Sequence, residues 1–489
     1  MNSNYSYNTT RRNKAKEDYQ KARQHHWDQV AAADPYGTKG WSDYYHQRIA
    51  DIFQFIIPPK QRVIELGCAQ GDLLAAMDPS VGIGLDFSSE MIRKAKKKYP
   101  QYQFYQMDVH NIDLKDKFDY VILSDVINDL WDVQTVFEQL HKVAGIRSRI
   151  VINNYSRLWE LPLWVVKKLG LAKPTLFQNW FTVEDIGGLL NIAGFEIIKK
   201  WEEILLPLKI PIISDIFNKY LAKIWPISIF SLTHVIVARP IVPHHEPTTR
   251  LPSVSVIIPA RNEAGNIVQV FECMPNMGSE TELVFVEGNS TDNTYEVIAR
   301  EIEARPERKN RLLRQTGEGK GDAVRLGFSA ASGDILMILD ADLTVSPEDL
   351  PRFYNALVSH KGEFINGVRL VYPMEKEAMR FLNLLGNKFF SLAFTWLFGQ
   401  PIKDTLCGTK VLWKSDYMRI DQNRHYFGDF DPFGDFDLLF GAVKNNLKIC
   451  EIPIRYRERS YGHTNIKRWQ HGWLLLRMVL FALKRIKFT

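Results

Sequence analysis

The stretch from Asp334 to Asp342 leaves few ways to fold: five apolar residues, Ile335 to Leu339, stop at two carboxylates two positions apart, Asp340 and Asp342. A run this short, partly β-branched and cut off by charge, is expected to be a buried strand. Residues two apart face the same side of an extended backbone, so both carboxylates are expected to enter one site at the carboxyl edge of a sheet. Paired hard oxygen ligands suit Mg²⁺ or Mn²⁺, and such an ion neutralises a diphosphate. In isolation the pattern is also that of a strand end followed by a helix, with Ser346, Pro347, Glu348 and Asp349 supplying the start of that helix.

The pattern is not isolated. Val254 to Ala260 and Glu282 to Glu287 are two further apolar runs, each ending in a polar turn: Arg261, Asn262 and Glu263 after the first, Gly288 to Asp292 after the second. Gly317 to Arg325 is rich in glycine and carries Lys320, a composition suited to a diphosphate or a base. Earlier in the chain, Arg62 to Leu66 runs into a turn with Gly67 and Gly71. Gly82 to Leu85 ends in Asp86, Met107 is followed by Asp108 and Val109, and Phe118 to Ser124 ends in Asp125. Strand, turn and helix repeated at this spacing make an α/β, doubly wound sheet. At 489 residues the chain exceeds one ordinary core, so two such domains are expected. The expected division is a tail and helical cap over 1–50, a first domain over 51–241, a polar proline-bearing linker over 242–253 and a second domain over 254–489. The tail proper runs to about residue 14.

The first half resembles the class I S-adenosylmethionine-dependent methyltransferases, on Glu65-Leu-Gly67-x-x-x-Gly71, Asp86 and Asp108 in that order. The resemblance implies a Rossmann-like sheet with Gly67 and Gly71 at the amino-acid end of S-adenosylmethionine. It further implies Asp86 at the ribose, Asp108 and Val109 at the adenine, and Glu65 bracing the turn. Two departures stand out. Ala69 occupies the family's central glycine position, and the fourth strand is followed by Asp125, Asn128 and Asp129 rather than the histidine of many relatives. Those three are the candidates for a methyl-transfer base.

The second half is similar to the family 2 glycosyltransferases of GT-A type, especially the dolichol- or polyprenol-phosphate sugar transferases. The similarity implies a nucleotide sugar donor, UDP- or GDP-linked, lined by Pro259, Ala260, Arg261, Glu263 and Glu287, with Asp292 supporting the loop. Lys320 would approach the nucleotide, Asp340 and Asp342 would hold the metal, and Asp435 or Asp437 would be the catalytic base, Asp435 preferred. Arg459 and His463 belong to a late loop expected to close over the diphosphate. Gly288 stands where many relatives carry a second acid. The acceptor implied is a glycan or a polyprenol phosphate.

Net charge of +6 suits an anionic nucleotide or lipid surface and does not indicate nucleic acid. Cys68, Cys273, Cys407 and Cys450 form no paired motif, so neither a disulfide framework nor a zinc site is expected. With no signal-peptide pattern and no uncharged run of bilayer length, a cytoplasmic enzyme is expected, with at most peripheral contact at the inner face of the plasma membrane. Two segments suit that contact: Leu158 to Phe181, and the basic amphipathic tail from Lys467 to Lys487. The reading is a bifunctional transferase. The alternatives are a polyprenol-phosphate sugar synthase with a regulatory methyltransferase-like domain, and a scaffold without activity.

Overall fold

In the computed structural model, the strand expected around Val63 and Ile64 is the middle of a sheet because it is apolar on both faces. Ile64 and Leu66 enter one core cluster and Val63 the other, as parallel strands covered on both sides require. The structure describes all residues except 1, 34–41, 170–175, 243–249, 370, 372–380, 427–433, 458–460, 462–467 and 489. The chain divides into two compact units, 1–241 with 488–489, and 242–487.

Among the described residues the first unit holds seven strands: β1 (Arg62–Leu66), β2 (Val81–Asp86), β3 (Gln103–Gln106), β4 (Phe118–Ser124), β5 (Ala144–Tyr155), β6 (Phe195–Glu203) and β7 (Thr233–Pro240). Their order across the sheet is β3-β2-β1-β4-β5-β7-β6. β1 to β5 pair in parallel and β7 runs antiparallel to both β5 and β6. The order reverses between β1 and β4, so the carboxyl ends of β1, β2 and β4 face the crevice where such sheets take ligands. Phe53 and Phe137 are fully buried on the two faces, each stabilising the unit by about 2 kcal/mol on area grounds.

Two expectations change here. The amino-terminal stretch expected to be a tail is the start of one long helix, Asn2–Ala33. The segment Leu232 to Ala238, expected to close the sheet, is β7, an interior strand. β6 lies outside it at the edge. Elsewhere Thr182 caps the helix Val183–Ile192 through a capping box with Asp185, as its spacing predicts.

The second unit repeats the plan with β8 (Val254–Ala260), β9 (Thr281–Glu287), β10 (Asn310–Arg314), β11 (Ile335–Ile338), β12 (Phe364–Val368), β13 (Lys410–Trp413) and β14 (Ile449–Pro453). The order among the described residues is β10-β9-β8-β11-β13-β12-β14. β13 runs antiparallel to β11 and β12, while β8 pairs in parallel with β9 and β11, β9 with β10, and β12 with β14. Side chains alternate between the faces, Ile257 and Val284 into one cluster, Val256 and Leu283 into the other. The tail helix Arg468–Ala482 buries Leu475, Met478, Val479 and Ala482 in the first of these. That spacing of three and four is one helix face, so the apolar face of the tail is core rather than free surface. The α/β class and the two-sheet architecture expected from the sequence are therefore borne out.

Candidate functional site

At the crevice of the first unit, Gly67 and Gly71 carry φ of 76° and 79°, a left-handed turn that glycine adopts without steric cost. Glu65, buried at the end of β1, accepts a hydrogen bond from Leu74 N at 3.0 Å, tying the turn to the next helix. Burial pushes the Glu65 carboxyl well above its ordinary range, the Leu74 hydrogen bond partly opposing. Ala69 holds φ 44° and donates its N–H to Asp86 Oδ2 at 2.9 Å. Ser88 N donates to Asp86 Oδ1 at 2.9 Å, and burial raises the Asp86 pKa.

Asp108 follows β3. Its Oδ1 accepts from His110 N at 3.0 Å and pairs with His110 Nδ1 at 2.6 Å, while Gln20 Nε2 donates to Oδ2 at 2.6 Å. Burial works against the charge, but these bonds hold Asp108 below the usual carboxylate range. Val109 beside it is buried. The long amino-terminal helix therefore reaches the sheet edge, and Asp28 from the same helix bonds the Ser88 hydroxyl.

Past β4, Asp125 holds φ 53°. Its carboxylate accepts from Tyr45 OH at 2.8 and 3.0 Å and from Asn153 Nδ2 at 2.7 Å. Burial pushes Asp125 up to about 7, with Tyr45 and Asn153 opposing. The other two candidates are tied elsewhere. Asn128 Nδ2 donates to Asn179 O at 2.6 Å, and Asp129 faces Arg23 at 3.8 Å.

In the second unit, β8 and β9 bring their carboxyl ends side by side, with Pro259 opposite Val286 and Ala260 opposite Glu287. Arg261 follows, exposed. Glu263 is buried, receives Asn266 Nδ2 at 2.7 Å, and takes Thr294 Oγ1 on its own N–H at 3.0 Å. Asp292 accepts from Thr294 N at 3.0 Å and Ala264 N at 3.4 Å, which binds the two turns together. Glu287 accepts from Ser290 N at 2.5 Å.

One turn further across the sheet, Lys320 Nζ lies 2.5 Å from Asp340 Oδ1. Burial opposes the charge on Asp340, and the Lys320 ammonium holds its pKa below the ordinary value. Asp342 Oδ1 accepts from Thr344 N at 3.1 Å and Thr344 Oγ1 at 2.8 Å. Gly408 closes over the pair, since a Cβ there would collide with Asp340 Oδ2 and Lys320 Nζ. Among the described residues no three His, Cys, Asp or Glu side chains gather as a metal site. Two carboxylates fit an ion that takes its remaining ligands from phosphates and water, the usual manner of Mg²⁺.

Residues 255–416 match the family model "Glycosyl transferase family 2" and residues 57–203 the model "Methyltransferase domain". The chain joins a methyltransferase domain to a family 2 glycosyltransferase domain. The latter is 27% identical over 233 residues to a low-salt glycan biosynthesis hexosyltransferase of Haloferax volcanii, covering 47% of this chain and 53% of that one. It is 30% identical over 220 residues to a dolichol-phosphate mannosyltransferase of Pyrococcus furiosus, covering 44% and 59%. The chain thus spans little more than half the length of these curated relatives. A solved S-adenosylmethionine dependent methyltransferase from Mesorhizobium loti aligns with TM-score 0.31 and 20% identity, over 39% of this chain and 96% of that one.

The glycosyltransferase domain also places the later motifs. Gly434, with φ 72°, starts the helix Asp435–Lys444 and packs its backbone against Gly321. That puts Asp435 at the first turn of a helix beside the Lys320 turn; its side chain lies outside the described residues. Asp437 faces Arg424, whose Nε lies 2.9 Å from its Oδ2. Arg457 N donates to Thr344 O at 3.0 Å, so the late loop starts at the Asp342 turn. Arg459 and His463 fall outside the described residues.

Sequence reasoning passed over Arg369 and Asp404. They form a buried ion pair, two-pronged at 2.7 and 2.8 Å and strong by its charge-assisted bidentate geometry, which anchors the loop that delivers Gly408. The signal available was the run from Lys403 to Lys410, whose one acid is Asp404. Gln315, buried after β10, ties Gly319 O at 2.8 Å to Asp322 Oδ2 at 3.0 Å and shapes the lysine turn.

Proposed function

We propose that this chain is a bifunctional transferase that moves a sugar from a UDP- or GDP-linked donor to a polyprenol-phosphate or glycan acceptor, and a methyl group to a molecule of the same pathway. The observation that carries the sugar reading is the meeting of Lys320, Asp340 and Gly408 at the carboxyl edge of the second sheet. The matched relatives, one named for glycan biosynthesis and one for dolichol phosphate, support it.

In this reading Pro259, Ala260, Arg261, Glu263 and Glu287 line the nucleotide and Lys320 bears on the diphosphate. Asp340 and Asp342 hold Mg²⁺ or Mn²⁺, which when bound offsets the charge of the departing diphosphate. The bond from the sugar's anomeric carbon to the diphosphate breaks as the acceptor oxygen bonds that carbon from the opposite face, inverting it. A phosphate acceptor arrives as an anion and needs no base. A hydroxyl acceptor gives its proton to Asp435, since Asp437 is held by Arg424.

In the methyltransferase domain Gly67 and Gly71 let the backbone approach S-adenosylmethionine, Asp86 takes the ribose hydroxyls, and Asp108 with Val109 receives the adenine. S-adenosylmethionine supplies a methyl group on a positively charged sulfur. The remaining demands are alignment and one proton acceptor, and of the three candidates we take Asp125, held between Tyr45 and Asn153, for the second. Gln20 favours a second reading. It already occupies Asp108 Oδ2, as expected if this half only regulates sugar transfer.

The test is a donor screen with Mn²⁺ and polyprenyl phosphate. Transfer from one nucleotide sugar and its loss in Asp340→Asn support the reading; no transfer from any donor overturns it. In parallel, S-adenosylmethionine is expected to raise the melting temperature of the wild type and not of Asp86→Ala.

A further inference from the structure

The methyltransferase unit carries a surface with its polarity turned inside out. Within residues 204–232, between β6 and β7, Ser214, Asn218 and Lys223 are buried, while Ile212, Ile213, Ile216, Trp225 and Phe230 are exposed. The buried polar groups are satisfied. Asn218 Nδ2 donates to Leu206 O at 2.7 Å, its Oδ1 accepts from Leu206 N at 2.8 Å, and Lys223 pairs with Glu203. The segment thus buries these polar side chains beside Ile204, Ala222 and Leu232 while many of its large apolar side chains face outward, and Trp225 is 77% exposed.

A second segment extends this surface. In the turn Arg157–Trp159 and the helix Glu160–Lys168, Trp159 and Leu163 pack on the core below. Leu158, Leu161, Trp164, Val165 and Leu169 are exposed. At 100° per residue these five fall within one arc, so the helix is apolar on its outer face as well. Trp159 Nε1 donates to Phe230 O at 2.9 Å, joining the two segments into one patch. A contiguous apolar surface of this kind marks an interaction site.

The charges around it select the partner. Arg157, Lys168 and Lys209 are exposed beside the apolar residues, with Glu160 and Asp215 as the nearby acids. Lys168 Nζ sits 4.0 Å over the Trp164 ring, its stem laid along apolar surface and its charge outward. Tryptophan with a basic rim is the composition of a surface that rests in the headgroup layer of an anionic membrane. Among the described residues no helix is long and apolar enough to cross one.

We infer that residues 157–169 and 205–231 of the methyltransferase unit form a docking surface for an anionic lipid bilayer. The inference deepens the reading of a lipid-borne acceptor, since it brings the methyltransferase unit to the same bilayer. The test is flotation of the full chain with vesicles of phosphatidylcholine alone, or of phosphatidylcholine and phosphatidylglycerol in equal parts. The wild type is expected to float with the anionic vesicles and less with the neutral ones. Leu161→Ser with Trp164→Ser, and separately Trp225→Ser with Phe230→Ser, are each expected to weaken binding by about tenfold. Circular dichroism matching the wild type and a retained thermal shift with S-adenosylmethionine show that these variants are folded. Trp473→Ser with Leu480→Ser, on the other unit, is the comparison. Binding lost only in that variant overturns the inference. So does a wild type that ignores vesicles and forms a dimer which the patch substitutions dissociate. Failure of every nucleotide sugar to react would sink the sugar-transfer reading and leave the flotation result standing.

Discussion

Lys320 Nζ stands 2.5 Å from Asp340 Oδ1, a helix-start cation against the carboxylate that ends the central strand of the second sheet. The pair explains why Asp340 is ionised in a crowded position and why the Gly408 loop tolerates no side chain above it. Because the folded-state pKa of Asp340 is depressed, its contribution to stability is present above the unfolded pKa of about 3.9 and is lost as pH falls through the folded value. The pair is only partly shielded from solvent, so Lys320→Ala is expected to cost at most about 1 kcal/mol at pH 7 and to converge on the wild type in acid. Sugar transfer is expected to fall far more than stability. Urea melts at two pH values and a turnover assay separate the two effects.

Gly408→Ala is expected to abolish transfer without unfolding the domain, because the added methyl collides with Asp340 and Lys320 at the site's rim rather than in the core. Donor binding and thermal melting check this; an active, normally melting variant would show that the loop lies elsewhere when donor is bound.

Gln20→Ala is expected to bind S-adenosylmethionine about fivefold more tightly, the equivalent of one hydrogen bond of ~1 kcal/mol that the cofactor no longer displaces from Asp108. Calorimetry reads it directly. Unchanged affinity would mean that Gln20 and the adenine do not compete.

Ala69 holds a left-handed φ of 44°, a conformation that costs an L-residue about 1–2 kcal/mol. Ala69→Gly is therefore expected to stabilise the methyltransferase unit by up to about 1 kcal/mol, glycine's added unfolded-state freedom offsetting part of the relief. Thermal melting measures it.

Asp125 gives the methyl-transfer half a pH signature. Its pKa is raised to about 7, so the protonated carboxyl is the form folding favours. That stability is fully present below the unfolded value of about 3.9 and is lost as pH rises through 7. Asp125→Asn is accordingly expected to melt higher than the wild type at pH 8 and not at pH 4. The methyl-transfer rate of the wild type is expected to fall below pH 7 as the base is protonated. A flat rate profile would remove Asp125 from the proton's path.

Strands with apolar runs were legible in the sequence: β1, β4, β9 and β11 each end at or just before the carboxylate or glycine that marked them, and β8 at the polar turn beginning with Arg261. β6 was not, because Phe195 to Glu203 contains five charged residues, and an edge strand needs only one apolar face. Only the first turns of the helix Asn2–Ala33, up to about residue 14, were read as a tail, because their Asn, Ser and Thr content suits disorder. What places its later turns is contact with distant residues, Gln20 on Asp108 and Asp28 on Ser88. The pair Asp340 and Asp342, just past β11, could be picked out from local spacing. The Gly408 roof and its Arg369–Asp404 anchor could not, since each joins residues far apart in the chain.

The account depends most on a divalent ion held between Asp340, Asp342 and a nucleotide's diphosphate, and calorimetric titration of UDP and GDP with and without Mn²⁺ tests it most directly. One of the two nucleotides is expected to bind the wild type only when Mn²⁺ is present, and Asp340→Ala with Asp342→Ala is expected to weaken that binding by at least about tenfold. Equal affinity in the double variant, or binding indifferent to Mn²⁺, would contradict it.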